Sequence, residues 1–396
     1  MTIATALPHH GLTFITADEA PAAGLRFARV LRPFFAMVAF FALTSTGARA
    51  QTTAGNDVTL SIGGLVQAET SVGWVTNSDD ERSRIGFGLR RTRLLVSAGL
   101  GPKFGAFIHV DGDGGSFGVL DAYASYQANP RVRLRAGRMA SAQPRAFIPT
   151  PVNAMDATER ASIALLWDGA TLGNKGRDYG IDLRYATDRA EAIVFLHNGD
   201  GSFNQLTGNI QDNIVGGIPG TDRSVDDLAV SFYGAVFPGG VPGLELGGFA
   251  GYNGNGNTNT TFGGEERSYF TYSAHAYWGA LPGSQPIRLK GDLIGVQYEE
   301  LDIVDSQDAL GFSILGAFAL HESAEVFGRF EMFDFNLDDD GQQASFITAG
   351  MSFSPSRLRG RPFAQERLTL AYNLRLLEDD DLPQHHLLIL QAQLSF

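Results

Sequence analysis

The chain has 396 residues, no cysteine and a formal net charge of −13 at neutral pH. Without cysteine it can form neither disulfides nor cysteine-based metal sites. Its acidic balance argues against nucleic acid as a partner, because phosphate binding needs a basic surface. Its 48 glycines, 28 phenylalanines and 11 tyrosines favour strands and turns over helices, and its length suits two ordinary domains or one large β-barrel.

The N-terminal segment has the pattern of a secretory signal. Three arginines precede the apolar run 34–43, and Ala-Arg-Ala at 48–50 fits a cleavage site. The run is too short to cross a bilayer as a helix. We therefore predict a signal peptide at 1–50, with a true translation start further downstream than residue 1, and one mature barrel domain at 51–396. A membrane anchor or a buried helix is the alternative for the apolar run.

The rest of the chain consists of short segments in which apolar and polar residues alternate. A period of two places the two kinds of residue on opposite faces of a strand. Segments of about ten residues with this pattern are typical of membrane-spanning β-strands. The sequence contains sixteen candidates, at 58–69, 84–99, 104–111, 120–127, 131–138, 179–185, 191–197, 227–237, 244–252, 269–278, 287–299, 309–320, 325–333, 345–353, 367–377 and 386–396.

The connections between these segments alternate in length. Short turns follow most even-numbered segments, and longer polar loops follow most odd-numbered ones. The third segment is an exception because its loop is short, and 354–365 is long where a short turn is expected. Short turns at one end and long loops at the other are the arrangement of outer-membrane barrels. The predicted fold is therefore all-β, a transmembrane antiparallel β-barrel; a soluble barrel or sandwich is the alternative.

The last segment carries a further signal. Apolar residues occupy alternate positions from Leu388 to Phe396, where the sequence given ends. Such a strand looks like the C-terminal signal by which the barrel-assembly machinery recognises outer-membrane substrates. We expect that machinery to be a partner of this strand.

The fifth segment and the connection after it hold the candidate channel chemistry. Arg131, Arg133 and Arg135 alternate with apolar residues, so they share the face that turns to the lumen of a barrel. The connection 140–177 has no strand pattern and only a short helical stretch at 156–167. Loops of this length are usually functional or disordered. We predict that this third extracellular loop folds into the pore and narrows it.

Charged residues facing the lumen define a candidate constriction. Predicted lumenal cations and acids are equal in number, and the cations are concentrated on the second, fifth and sixth segments. Our hypothesis is that arginines of the second and fifth segments face acids of the loop, giving a transverse field across a water-filled constriction. The alternative is that they pair with neighbouring acids for stability. The candidate residues are Arg91, Arg93, Arg131, Arg133, Arg135, Arg184, Asp121, Asp182, Asp156 and Glu159.

The motifs of the first half resemble a known family. They are Arg90-Arg91-Thr92-Arg93, Gly101-Pro102-Lys103-Phe104, Asp121-Ala122-Tyr123, Asn129-Pro130, Arg133-Leu134-Arg135-Ala136-Gly137-Arg138 and Gly176-Arg177-Asp178-Tyr179-Gly180. Their order and spacing are similar to the phosphate-selective porin O and P family of Gram-negative bacteria. The resemblance implies a sixteen-stranded, trimeric outer-membrane channel. Members that select phosphate also line the pore with lysines, whereas this chain has only Lys103, Lys175 and Lys290, so general porin activity is better supported than phosphate selectivity.

The expected function is passive diffusion of small hydrophilic solutes or inorganic ions across the outer membrane, with anions such as phosphate among the candidates. No cofactor, metal or catalysis is expected. Outer-membrane lipid and lipopolysaccharide are expected partners, the latter bridged by divalent cations to the acidic runs 338–340 and 378–381. An outer-membrane barrel enzyme and a non-conducting structural barrel are the alternatives.

Overall fold

The computed structural model describes residues 50–53, 58–77, 83–112, 116–147, 155–172, 174–199, 228–254, 267–300, 307–378 and 382–396. Residues 1–49 lie outside this range, so the predicted signal peptide falls almost wholly outside the described residues. The same holds for most of the acidic run 378–381.

The described residues form one antiparallel sheet that closes on itself. A short strand, β1, pairs with the beginning of β2, and β17 pairs with the rest of β2, so β2–β17 form a closed barrel of sixteen strands. The strands are β1 (Ala50–Thr53), β2 (Val58–Thr76), β3 (Ser83–Leu100), β4 (Phe104–Asp111), β5 (Gly118–Asn129), β6 (Val132–Met139), β7 (Asp178–Ala186), β8 (Ala190–His197), β9 (Ala229–Val236), β10 (Leu244–Asn253), β11 (Tyr269–Trp278), β12 (Ile287–Tyr298), β13 (Gln307–His321), β14 (Ala324–Asp334), β15 (Gln343–Phe353), β16 (Glu366–Leu377) and β17 (Gln384–Ser395). Each predicted segment corresponds to one barrel strand, and the predicted barrel is confirmed.

The alternation along each strand separates two surfaces. Large apolar side chains such as Phe87, Ile314 and Leu183 are exposed on the outside, whereas charged side chains such as Arg288 and Asp182 are buried inside. A continuous apolar outer wall is unfavourable in water and requires an apolar covering. Among the described residues, no helix combines the length and the hydrophobicity needed to cross a membrane.

The connection 140–177 folds inward. Its described part contains one α-helix, α1 (Ser162–Ala170), which begins later than the helical stretch predicted at 156–167. Ile163 and Trp167 of α1 are buried with wall residues of β8 to β14 in one apolar cluster. Tyr298 of β12 donates a hydrogen bond to the carbonyl oxygen of Ala170. The loop therefore occupies part of the lumen.

Candidate functional site

One side of the inward loop is an apolar anchor, which we define as α1 with the wall residues around Trp167. The Trp167 ring meets Phe147 and Phe249 edge to face, with centroids 5.4 and 6.0 Å apart. Its Nε1 donates a 2.9 Å hydrogen bond to Oγ1 of Thr271 on β11. Because this tryptophan is 1% exposed and its one donor is satisfied, the anchor holds α1 against the wall with the indole N–H paired.

The other side, residues 155–160, is a charged segment. Asp156 accepts hydrogen bonds from Arg288 Nη1 at 2.5 Å and from Lys290 Nζ at 2.7 Å, both on β12. Burial alone would raise the pKa of Asp156, but the cations of Lys290 and Arg288 outweigh burial and hold it at about 2. The carboxylate is therefore ionised at neutral pH and ties the loop to the wall.

Glu159 makes the second ionic contact of this segment. It pairs with Arg91 and with Arg90, whose Nε donates at 2.7 Å. In the register of β2 and β3, Gln67 faces Arg91 and Ala68 faces Leu89, so Arg90 is the extra residue of a β-bulge. The bulge explains how two adjacent arginines reach one carboxylate, which a regular strand does not allow. Burial opposes ionisation of Glu159, yet Arg91 and Arg90 hold its pKa well below the usual range.

Main-chain carbonyl groups of the same segment are also hydrogen-bonded to the wall. Arg367 of β16 donates to the Met155 oxygen, and Gln391 Nε2 of β17 donates to the Thr158 oxygen at 3.2 Å. Arg329 of β14 donates to the oxygens of residues 159 and 160 at 3.3 and 3.0 Å. The charged segment thus contacts strands on both sides of the junction between β2 and β17.

Both ends of the loop are fixed by carboxylates of the wall. Near its start, Arg145 Nε donates to Glu245 at 2.5 Å. At its end, Arg177 pairs with Asp121 at 3.3 Å, and Asp121 also contacts His109 Nδ1 at 2.8 Å. Lys175 contacts Asp111 at 3.1 Å, and the same carboxylate pairs with Arg93 at 3.3 Å. The predicted residues Asp121 and Arg93 therefore lie where the loop returns to the wall.

Arg135 of the fifth segment behaves differently from Arg91 of the second, which pairs with Glu159 of the loop. Arg135 Nε donates to both oxygens of Asp182 on β7 at 3.0 Å. For Arg135 the structure thus shows pairing with a neighbouring wall acid, the stated alternative, and not with an acid of the loop. Arg184 pairs with Glu191 at 2.8 Å, Arg133 is half-buried, and Arg131 is exposed in the turn before β6.

The contact of Asp156 with Arg288 and Lys290 was not predicted. Asp156 and Arg288 are 132 positions apart, and no local pattern links a loop residue to one particular strand. The adjacent pair Arg90 and Arg91 was the one available signal of the bulge.

A second arrangement inside the barrel was also missed. His197 Nδ1 lies 2.7 Å from Asp178 Oδ2, and its Nε2 lies 3.0 Å from Ser231 Oγ. This is the connectivity of a Ser-His-Asp triad. Asn253, beside it, donates to the Gly199 oxygen at 2.7 Å and to the Tyr269 hydroxyl at 2.9 Å. Its amide protons are thus engaged and do not form an oxyanion hole for Ser231.

No protein-family model and no curated protein matches the sequence. Solved structures do match. The anion-selective porin from Comamonas acidovorans is 15% identical, with a TM-score of 0.62 over 86% of this chain and 100% of that chain. The outer membrane channel DcaP of Acinetobacter baumannii is 11% identical, with a TM-score of 0.59 over 88% and 100%. OmpF of Salmonella typhi, in complex with daunomycin, is 10% identical, with a TM-score of 0.56 over 88% and 100%. The chain therefore shares their barrel fold.

Proposed function

We propose that the protein is a passive diffusion channel of a Gram-negative outer membrane. The observation that carries the proposal is a closed sixteen-stranded barrel with an apolar outer face and a charged lumen that an inward loop narrows. A barrel of this size leaves room for water between its walls. The similar structures, which include a porin called anion-selective and an outer membrane channel, support the same function.

The solutes we propose are small hydrophilic molecules and ions, with a preference for anions set by local arginines. Arg133 faces Arg184 across β6 and β7. Arg160 lies near Arg91 and Arg177, and burial together with Arg91 lowers its pKa. Clustered guanidinium groups in a narrow, low-dielectric passage attract anions. Phosphate remains one candidate anion among several.

Further parts of the proposal concern processing and partners. We propose that residues 1–50 are a signal peptide, that the strand ending at Phe396 is recognised by the barrel-assembly machinery, and that the outer wall contacts membrane lipid and lipopolysaccharide. A homotrimer is proposed from the resemblance to the phosphate-selective porins. The apolar outer face of the barrel supports the contact with lipid.

Planar-bilayer recording tests the channel directly. Purified full-length protein should give discrete openings, and the zero-current potential in a KCl gradient should indicate anion preference. Repeating the gradient with potassium phosphate tests phosphate as the permeant anion. Protein that inserts but never opens would refute the channel and favour the non-conducting barrel, an outcome that the dry contact around Trp167 makes worth measuring.

An enzyme is the second candidate because of the Asp178, His197 and Ser231 contacts. An active serine would react with a fluorophosphonate probe, and the Ser231→Ala variant would not. Ester hydrolysis by the wild type that this variant lacks would overturn the view of the barrel as a channel without catalysis. Because both amide protons of the neighbouring Asn253 are engaged by Gly199 and Tyr269, we expect neither labelling nor hydrolysis.

A further inference from the structure

A cavity lies between the charged segment and the wall. Its cavity volume is about 40 Å³; it is partly open to solvent and is bounded by residues of the loop and of β11 to β14. Its lining contains equal numbers of acidic and basic residues. Three acids, Asp156, Glu159 and Asp292, are matched by three bases, Arg160, Lys290 and Arg329, and the remaining lining residues are mostly apolar.

Ion pairing accounts for four of these six groups. Asp156 pairs with Lys290, Glu159 pairs with the two arginines of β3, and Arg329 pairs with Glu331 at 2.8 Å. Arg160 and Asp292 remain. In the part of the chain that the structure describes, neither forms an ion pair with an opposite charge. One cation of the loop and one carboxylate of the wall, each without a direct ion pair, therefore line the same cavity. Glu159 acts on Arg160, and Lys290 acts on Asp292, only through longer-range attraction.

The surroundings of these two groups leave them available. Arg160 donates through Nε to the Phe147 carbonyl oxygen at 2.6 Å, and its guanidinium lies 5.4 Å from the Phe147 ring centroid. These contacts orient the group but do not neutralise it. Asp292 accepts a 2.7 Å hydrogen bond from the Tyr277 hydroxyl. Both residues are half-buried, and both line the cavity.

We infer that this cavity is a binding site for a small zwitterion, an α-amino acid with a short apolar side chain. Its carboxylate would pair with Arg160, its ammonium with Asp292, and its side chain would contact Ala161 and Leu315. The inference rests on the proposed channel, through whose lumen the solute reaches the cavity, and it names one class of solute. It differs from an anion preference because it needs both charges of the ligand.

The two charges give a specific ranking of ligands. A partly buried charge is stabilised most by a charge-assisted hydrogen bond to an opposite charge. L-Alanine satisfies both groups, whereas acetate leaves Asp292 unmatched and ethylamine leaves Arg160 unmatched. Each missing contact should weaken binding about ten- to a hundredfold. L-Alanine has a net charge of zero at neutral pH, so a general attraction of the pore for anions cannot produce this ranking.

Equilibrium dialysis of labelled L-alanine with the detergent-solubilised full chain tests the site. We expect saturable binding, with acetate and ethylamine as competitors at least tenfold weaker than alanine. Asp292→Asn keeps the acceptor for Tyr277 and removes the charge. It should weaken alanine about tenfold without weakening acetate, because the carboxylate that repels acetate is removed. Arg160→Gln should weaken both alanine and acetate and spare ethylamine.

Glu191→Gln is the matched control, because it removes a lumenal carboxylate that pairs with Arg184 outside the cavity. It should bind alanine as the wild type does. Absence of saturable binding in the wild type, or equal loss in the Asp292 and Glu191 variants, would overturn the site. Binding is measured without conduction, so failure of the site and failure of the channel are separate results: conduction without alanine binding refutes only the site, and binding without openings refutes only the channel.

Discussion

The apolar anchor and the charged segment belong to one loop but hold it in different ways. The anchor buries Ile163 and Trp167 among aromatic and aliphatic wall residues. The charged segment holds Asp156 and Glu159 among cations of β12 and β3. Apolar burial excludes water and does not depend on the ionisation of the buried side chains, whereas ion pairs next to a water-filled space respond to salt and pH. We therefore expect the anchor to close its part of the lumen and the solute passage to lie beside the charged segment.

Removing the tryptophan should break the anchor and produce the largest effect. Trp167→Ala deletes a fully buried ring and the hydrogen bond to Thr271, a loss of roughly 3–5 kcal/mol of local stability. We expect a higher single-channel conductance and faster proteolysis of the loop, with the β-sheet circular dichroism retained.

Leu165→Ala is the control for this experiment. Leu165 lies on the same helix but is 40% exposed, so its removal should change neither conductance nor proteolysis. Equal conductance in the Trp167 variant and the wild type would show that the anchor does not define the closed part of the lumen.

Acid should loosen the charged segment while leaving the anchor unchanged. The pKa of Asp156 is held at about 2, below its ordinary 3.8. Its ionic contribution, about 2 kcal/mol, is complete above the ordinary pKa and is lost as the pH falls through about 2. Pepsin cleavage of the loop should therefore be slow at pH 4 and accelerate toward pH 2.

Asp156→Asn removes this titrating group, so the acceleration attributed to it should disappear and the loop should be more accessible at pH 4. A variant with the same pH profile as the wild type would assign the acid response to other carboxylates, such as Glu159.

The smallest expected effect concerns Arg133 on β6. Arg133 is half-buried, and within the described residues it has no ion-pair partner. Arg133→Gln should therefore cost little stability but shift the zero-current potential in a KCl gradient slightly toward cations. Arg189→Gln is the control, because Arg189 is exposed in the turn between β7 and β8. An unshifted potential in the Arg133 variant would remove this arginine from the selectivity argument.

Much of the fold follows from the sequence because a barrel strand is a local pattern. Period-two alternation marks all sixteen strands, and the long connection after β6 stands out by its length. The ion-pair partner of a charged side chain, in contrast, is not determined by the neighbouring sequence. Arg135 and Arg91 have similar sequence surroundings, yet one pairs with Asp182 on the next strand and the other with Glu159 on the loop. That difference depends on where the loop crosses the lumen, which packing around Trp167 determines.

Bulges and long-range contacts are the features of the structure that the strand pattern does not predict. Regular alternation cannot place Arg90 and Arg91 on one side, so the bulge at Arg90 shifts the register of β3. Contacts such as Arg367 with Met155 join residues 212 positions apart. Strand periodicity predicts that Arg367 faces inward, but it contains no information about which loop carbonyl it meets.

The junction of β2 and β17 has a consequence for folding order. It pairs strands from opposite ends of the barrel, as Gln67 and Gln393 show with a 2.8 Å hydrogen bond across 326 positions. Pairings of such high contact order form late and slowly. The charged segment lies across this junction on the inside, bonded to β16 and β17 on one side and to β3 on the other. We therefore expect the loop that narrows the passage also to stabilise the pairing of β2 with β17 from the inside, and to slow separation of these two strands.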